Sequence, residues 1–477
     1  MKLDSIILAL LALLFLLPVT SFSQSDEKYN VLFIGIDDLN NYVTLLNNYP
    51  GIKTPNLDRL AKRSVTFTKA YCPAPVCNPS RIAVLTGKSP ANTGLYQLLD
   101  AFQSSREAVN STLLPELFKN NDYTTMWSGK IFHTGGDHAR TRPDKERLEA
   151  MWDDMRGCDG GYGPMPTVDN LTDTAKKPGW FNYQVWQGPD TDFPDVINCN
   201  YSIERLERNY QSPFFMALGL YRPHNPWTVP ERFFGLYPED EIVLPKVDEN
   251  DLDDLSELGK EWAHHPVQLN LLKDSGKWKD FVRAYLAAIS FMDFNIGRVL
   301  DALEKSDHYE NTIVVLWSDN GFHMGEKHHL AKQALWEQTS QVLLMLSVPG
   351  MTENGGMRNQ PVNLLDIYPT LVELCGLEKP KQTLDGESLV SMTQDPQFKR
   401  EEPSITYYKH GSISVRTTDY RYIRYYDGTE ELYDEVNDPL ELKNLAYEEP
   451  YQEVIDAISR WIPSKVAPTV TKIGAGK

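Results

Sequence analysis

Four short apolar runs, each breaking off into polar chemistry, constrain this chain most. They cover residues 31–36, 123–127, 214–220 and 312–317. None alternates apolar with polar residues, so both faces of each strand must be covered, as in a parallel sheet between layers of helix. The first run ends in Asp37-Asp38 and the second in Ser128-Gly129-Lys130-Ile131-Phe132-His133. The third ends in Tyr221-Arg222-Pro223-His224-Asn225-Pro226 and the fourth in Asp319-Asn320-Gly321. Ligands of open α/β sheets sit beyond the carboxyl ends of the strands. Four strands delivering polar side chains at one end therefore predict one site.

Helices are expected over 56–63, 80–86 and 281–305. The last carries an apolar stripe through Ala284, Leu286, Ala287, Phe291, Phe294, Val299, Leu300 and Leu303. Residues 135–213 and 238–279 are rich in Gly, Pro, Asp and Asn and read as irregular. The character changes near Cys375-Gly376. Residues 412–426 are β-branched and aromatic, Asp427-Gly428 makes a turn, and Leu432-Tyr433 returns. The expected fold is α/β: a large central, mostly parallel sheet flanked by helices over 24–375. A smaller C-terminal subdomain over 376–477 adds an antiparallel sheet, closed by a helix around 451–461.

Residues 1–23 read as a signal peptide: Lys2, an apolar stretch over 6–17, then Pro18 and small residues. That stretch is short for a membrane span, which takes about 20 residues. The alternative is an uncleaved N-terminal anchor; the expectation is no stable membrane anchor and an exported protein, periplasmic or secreted, or of the secretory pathway or lysosome if the source is eukaryotic. A net charge of −19 argues against nucleic acid as a partner. It also demands local cations wherever an anionic substrate binds. Of five cysteines, Cys77 stands in a motif, and Cys72, Cys158, Cys199 and Cys375 permit one or two disulfides whose pairing is open.

Asp37, Asp38, Asp319 and Asn320 offer hard oxygen ligands from two strand ends, a set suited to a divalent cation and to calcium before magnesium. Cys77 precedes a helix start, where free backbone N–H groups favour an anion, and Arg81 follows one turn on. Lys130, His133, His224 and Lys332 supply fixed cations and groups able to move protons near neutral pH.

The run Cys77-Asn78-Pro79-Ser80-Arg81 resembles the sulfatase signature, whose cysteine is oxidised to Cα-formylglycine by a formylglycine-generating or equivalent maturation enzyme. Further stretches of similarity at 30–38, 54–61, 129–133, 222–226, 285–303, 319–332, 365–370, 416–418 and 432–445 extend it. The chain resembles a type I sulfatase of the alkaline-phosphatase-like superfamily, most closely the iduronate-2-sulfatase group. The resemblance implies that Asp37, Asp38, Asp319, Asn320 and modified residue 77 hold one calcium ion. It implies that Arg81 stabilises the formylglycine hydrate and that Lys130 and Lys332 grip sulfate. It assigns to His133 the hydrate hydroxyl whose deprotonation expels sulfate, and to His224 the leaving sugar oxygen. Asn320 departs from some relatives of the iduronate group, which carry histidine there. A sulfated carbohydrate is the implied substrate, iduronate 2-sulfate-like or algal, with Arg222, Trp227 and His323 as candidate sugar-binding residues. Two other readings stay open: a phosphodiesterase or phosphonate monoester hydrolase of the same superfamily, and a non-catalytic carbohydrate-binding homologue.

Overall fold

The structure, a computed structural model, describes residues 28–133, 140–158, 161–167, 181–264, 267–352 and 354–470. The expected signal peptide lies outside the described residues. All four apolar runs are strands of one nine-stranded sheet. In chain order its long strands are β1 (Asn30–Asp37), β2 (Val65–Tyr71), β3 (Thr124–Gly129), β4 (Phe214–Pro223), β5 (Thr312–Ser318) and β6 (Gln341–Ser347). The predicted strands lie side by side in the order β5-β1-β4-β3, all parallel. Strands β2 and β6 extend the sheet beyond β5, with β6 antiparallel to both neighbours. These two were not expected. Neither ends in polar chemistry, and the alternating Val65-Thr66-Phe67-Thr68 gives β2 no continuous apolar run.

Successive residues of β1 enter different cores. Leu32, Ile34 and Ile36 pack with the long helix Trp278–Lys305 on one face. Val31 and Phe33 pack on the other with Ile82, Val84 and Leu85 of the helix Cys77–Thr86. Burial on both faces is why β1 reads as an unbroken apolar run. The helix Cys77–Thr86 is buried along its whole length and ends at Gly87, which adopts φ 65°. It begins at Cys77 rather than at Ser80, so Pro79 sits within its first turn, where a missing N–H costs no helical bond.

Residues 135–213 contain a helix the sequence did not announce, Pro194–Leu206. Asp195, Asn198 and Ser202 lie on its buried side, interrupting the apolar stripe. Asp195 explains why: its carboxylate accepts the backbone N–H groups of Tyr221 (2.7 Å) and Arg222 (2.9 Å) at the end of β4. Residues 238–279 likewise contain the helices Glu257–Ala263 and Leu269–Asp274.

A separate four-stranded antiparallel sheet, β7 (Ser404–Tyr408), β8 (Ser412–Arg416), β9 (Tyr420–Arg424) and β10 (Glu430–Asp434), forms near the C-terminus. The 412–426 run is two strands rather than one. The helix Gln452–Ser459 closes this region. No two of the five cysteines are bonded to one another. Among the described residues no helix is long and apolar enough to cross a membrane.

Candidate active site

The parallel strands converge as their sequence predicts. Asp37 ends β1 and Asp38 follows it, Lys130 and His133 follow β3, His224 follows β4, and Asp319 and Asn320 follow β5. Two glycines allow β3 and β4 to approach. A Cβ on Gly219 would stand 2.1 Å from the Lys130 carbonyl carbon and oxygen. Gly129 has φ +75°, and a Cβ there would stand 1.9 Å from the Gly219 oxygen. Only backbone fits between these strands, and that contact turns the Lys130 side chain toward β1.

The centre is Cys77 Sγ. It lies 3.3 Å from Asp37 Oδ1 and 3.6 Å from Asp38 Oδ1. Lys332 Nζ approaches it to 2.9 Å and Lys130 Nζ to 3.8 Å. Lys332 also donates to Asp38 Oδ1 at 2.6 Å, and Lys130 to Asp37 Oδ2. Arg81 Nε donates to Asp319 Oδ2 at 2.7 Å, and Nη2 lies 3.4 Å from Asp37 Oδ1. Asp319 Oδ1 in turn accepts the Asp38 N–H at 3.0 Å, and Asn320 Nδ2 donates to Asp38 Oδ1 at 2.9 Å. Asp37, Asp38, Asp319, Arg81 and Lys130 are wholly inaccessible to solvent. Three carboxylates thus face three side-chain cations in a buried centre, where an unpaired charge is costly.

Burial alone would push the Asp37 carboxyl up, but Lys130, His224, Arg81 and Lys332 hold it well below the usual carboxylate range. Burial pushes Asp319 up to about 6, with Arg81 opposing and Asp37 and Asp38 adding. Burial also pushes the Cys77 thiol far up, helped by Asp319 and Asp37 and opposed by the two lysines. Burial pulls His224 down to about 4 against Asp38 and Asp37.

The expected cation ligands fit a hard dication. Asp37, Asp38, Cys77 and His224 bring ligand atoms within 4.8 Å of one another, and Asp319 and Asn320 bond directly to Asp38. Asp38 Oδ2 and Asn320 Oδ1 are buried acceptors with no hydrogen-bond donor. Unbonded acceptors beside clustered carboxylates suit a hard cation. Asp38 sits at φ 60°, a left-handed backbone that non-glycine residues adopt at a cost. Tyr285 of the long helix holds it there, donating to the Asp38 carbonyl at 2.7 Å and accepting the Asn40 N–H at 3.0 Å. Lys332 is likewise flanked by left-handed residues, Ala331 (φ 82°) and Gln333 (φ 79°). His133 is buried in the loop that carries Lys130, its carbonyl accepting from Thr141 at 3.3 Å.

The three sugar-binding candidates fall elsewhere. Trp227 is wholly buried, its ring 4.3 Å from Phe281 and 5.3 Å from Tyr285, so it is a core residue and presents no face to a sugar. His323 is 1% exposed, packs 4.9 Å from the His329 ring, and its Nδ1 pairs with the Glu326 carbonyl. Arg222 is also 1% exposed and spends its donors on the carbonyls of Tyr162 (2.7 Å), Thr228 (3.2 Å) and His224 (3.3 Å). It braces the His224 loop and has no free fork for a carboxylate. Their place beside motif residues suggested a subsite, but sequence adjacency does not fix which way a side chain points.

Two neighbours were missed. Tyr162 Oη lies 3.1 Å from Lys130 Nζ, and its ring centroid is 4.6 Å from that of His224. It sits in a Gly- and Pro-rich stretch that carries no periodic signal. Tyr285 falls within the expected helix over 281–305, where an aromatic reads as core packing.

The Sulfatase family model matches residues 29–377, and the model described as N-sulphoglucosamine sulphohydrolase, C-terminal, matches residues 325–466. A protein named Sulfatase from Formosa agariphila is 39% identical over 452 residues, covering 92% of this chain and 87% of that one. Iduronate 2-sulfatase of Homo sapiens is 26% identical over 491 residues (84% and 86% covered). The Ulvan-active sulfatase of Formosa agariphila is 28% identical over 472 residues (94% and 83%). Two solved structures share the fold. One is a phosphonate monoester hydrolase of Agrobacterium radiobacter, with TM-score 0.73 and 19% identity, covering 91% of this chain and 94% of that one. The other was solved with its substrate D-glucosamine-2-N,6-O-disulfate, with TM-score 0.70 and 21% identity, covering 91% and 96%. With its strand-end acids, flanking lysines and residue 77 at one centre, the chain belongs to the sulfatase family of the alkaline-phosphatase-like superfamily and is a sulfuric ester hydrolase.

Proposed function

We propose that this protein is an exported sulfatase that removes sulfate from a sulfated saccharide, using formylglycine at residue 77 and bound calcium. The observation that carries the reading is the pair of lysines at residue 77: Lys332 Nζ at 2.9 Å and Lys130 Nζ at 3.8 Å from Sγ. In this structure Sγ stands in for the hydroxyl oxygens that a hydrated formylglycine would put there. Such a hydrate supplies one oxygen to attack sulfur and a second whose deprotonation releases sulfate. Calcium held by Asp37, Asp38, Asp319 and Asn320 would supply the charge that makes ionising that hydroxyl less costly.

The side chains do the rest. Lys130 and Lys332 take the sulfate oxygens in a low-dielectric site where their charge counts most. Arg81 steadies residue 77 from below through its hold on Asp37 and Asp319. His224 protonates the departing sugar oxygen, and His133 removes the hydroxyl proton from residue 77. Burial holds His224 neutral at pH 7 before substrate arrives. An anionic ester beside it favours the imidazolium, so substrate itself helps to charge the acid. A saccharide substrate is supported by the names of the iduronate and ulvan-active relatives.

The test is a desulfation screen on defined sulfated saccharides differing in sugar and sulfate position, run beside a phosphodiester and a phosphonate monoester. Release of sulfate from a saccharide at the highest kcat/KM is the expected result. Faster turnover of the phosphorus esters would overturn the reading.

A further inference from the structure

We infer that Tyr162 is a positioning residue for proton delivery to the leaving group: it holds His224 in the attitude from which the imidazole reaches the departing oxygen, and ties that attitude to Lys130. The inference rests on the assignment of His224 as proton donor. Three contacts carry it. The Tyr162 ring lies over the His224 imidazole, with centroids 4.6 Å apart and planes at 32°. Its hydroxyl lies 3.1 Å from Lys130 Nζ, and Lys130 also stands 5.2 Å from the ring centroid. Its carbonyl accepts from Arg222 Nη2 at 2.7 Å, while the same guanidinium donates to the His224 carbonyl at 3.3 Å. The buried Arg222 thus fastens the Tyr162 backbone to the His224 loop, and Tyr221 closes the cluster edge-on at 5.2 Å.

The chemistry follows from this bracket. A side chain at the end of a loop reaches a leaving oxygen productively only over a narrow range of ring orientations. The packed phenol limits the His224 ring to one such range. The Lys130 contact serves a different end, because it touches the group that binds sulfate rather than the one that protonates the leaving oxygen. The hydroxyl therefore acts on the sulfate-binding lysine alone, and the ring chiefly on the attitude of His224.

An ester of an acidic phenol leaves unaided, whereas an ester of a sugar alcohol needs its proton. Kinetics with aryl sulfates of graded leaving-group acidity, plus one sugar sulfate, separate the roles in Tyr162→Ala, Tyr162→Phe and His224→Ala. Tyr162→Ala is expected to lose about tenfold or more in kcat/KM on the poorest leaving groups, but less than about threefold on the most acidic. Tyr162→Phe, which keeps the ring, is expected to keep the wild-type leaving-group slope with a uniform loss. The geometry is also readable without turnover. In protein carrying unmodified Cys77, the His224 ring-proton resonance, assigned by its absence in His224→Ala, should shift when Tyr162→Ala removes the neighbouring ring current, and not in Tyr162→Phe. An equal loss by Tyr162→Ala across the series, or an unmoved resonance, overturns the inference, provided His224→Ala steepens the slope. If His224→Ala leaves the slope unchanged, the proton-donor assignment itself fails and this inference falls with it.

Discussion

Arg421 of β9, which touches none of the strand-end acids, is predicted to be needed for both stability and turnover. Its guanidinium is wholly buried and donates to Glu337, to Leu335 O (3.0 Å) and to Ser414 Oγ (2.8 Å), with Glu441 at 2.7 Å and Glu435 at 3.2 Å. Arg416 joins the same cluster, 3.2 Å from Glu337 and 3.3 Å from Glu435. Burial would raise the Glu337 carboxyl, yet the two guanidiniums bring it down to about 2. Burial pushes Glu441 up to about 7, against Arg421, and Glu435 well above its usual range. Replacing Arg421 with Met strands these acids, and breaking a buried ionic cluster costs about 3–5 kcal/mol. For 477 residues the unfolding entropy is about 1 kcal/mol/K, so Tm should fall about 3–5 °C.

The sign of the pH dependence follows from Glu441. A carboxyl raised in the fold contributes fully below its unfolded pKa, and that contribution is lost as pH rises through the folded value. Without Arg421 the folded value climbs further, at about 1.4 kcal/mol per unit. The Arg421→Met loss should therefore be larger at pH 8 than at pH 5.5. Scanning calorimetry of both proteins at both pH values measures it. Because Leu335 lies three residues from Lys332, kcat should fall as well. An unchanged Tm, or an equal loss at the two pH values, would refute this account of how the C-terminal sheet supports the site.

Lys332→Ala should cost about 10²–10³ in kcat, as loss of an oxyanion partner does, and a loss below tenfold in aryl sulfate turnover would contradict its role. Gly219→Ala should destabilise by about 3 kcal/mol or more in urea unfolding, because the added Cβ meets Lys130 backbone rather than a yielding side chain. Asp293 caps the helix Pro55–Ala61, accepting the Leu57 N–H at 2.8 Å, and burial pushes it up to about 6 despite that bond. A raised carboxyl loses its contribution as pH rises through 6, so wild type should be more stable relative to Asp293→Asn at pH 5 than at pH 7.5. A Tm difference that grows with pH would reverse the sign.

What was legible in the chain was legible for physical reasons. Strands buried on both faces must be apolar throughout, so β1, β3, β4 and β5 announced themselves, and so did the polar residues at their ends. Cys77 and Arg81 stood out as a local run. Pro194–Leu206 did not, because Asp195 serves the β4 backbone from its buried side and spoils the apolar stripe. Tyr162 lies in a stretch without periodicity, and its importance is a matter of what folds beside it. The Glu337–Arg421 cluster joins residues far apart in sequence, and isolated charges read as surface. Trp227 misled in the opposite sense. An aromatic three residues from His224 looks like a sugar platform, yet its ring turns inward to Phe281 and Tyr285.

Everything proposed about turnover requires residue 77 to be converted. The most direct test is the mass of the peptide that contains it, in protein isolated from a host that performs the maturation. Formylglycine is about 18 Da lighter than cysteine. The account predicts that species, with sulfate release scaling with its abundance. Only unmodified thiol in protein that nonetheless hydrolyses sulfate esters would contradict it.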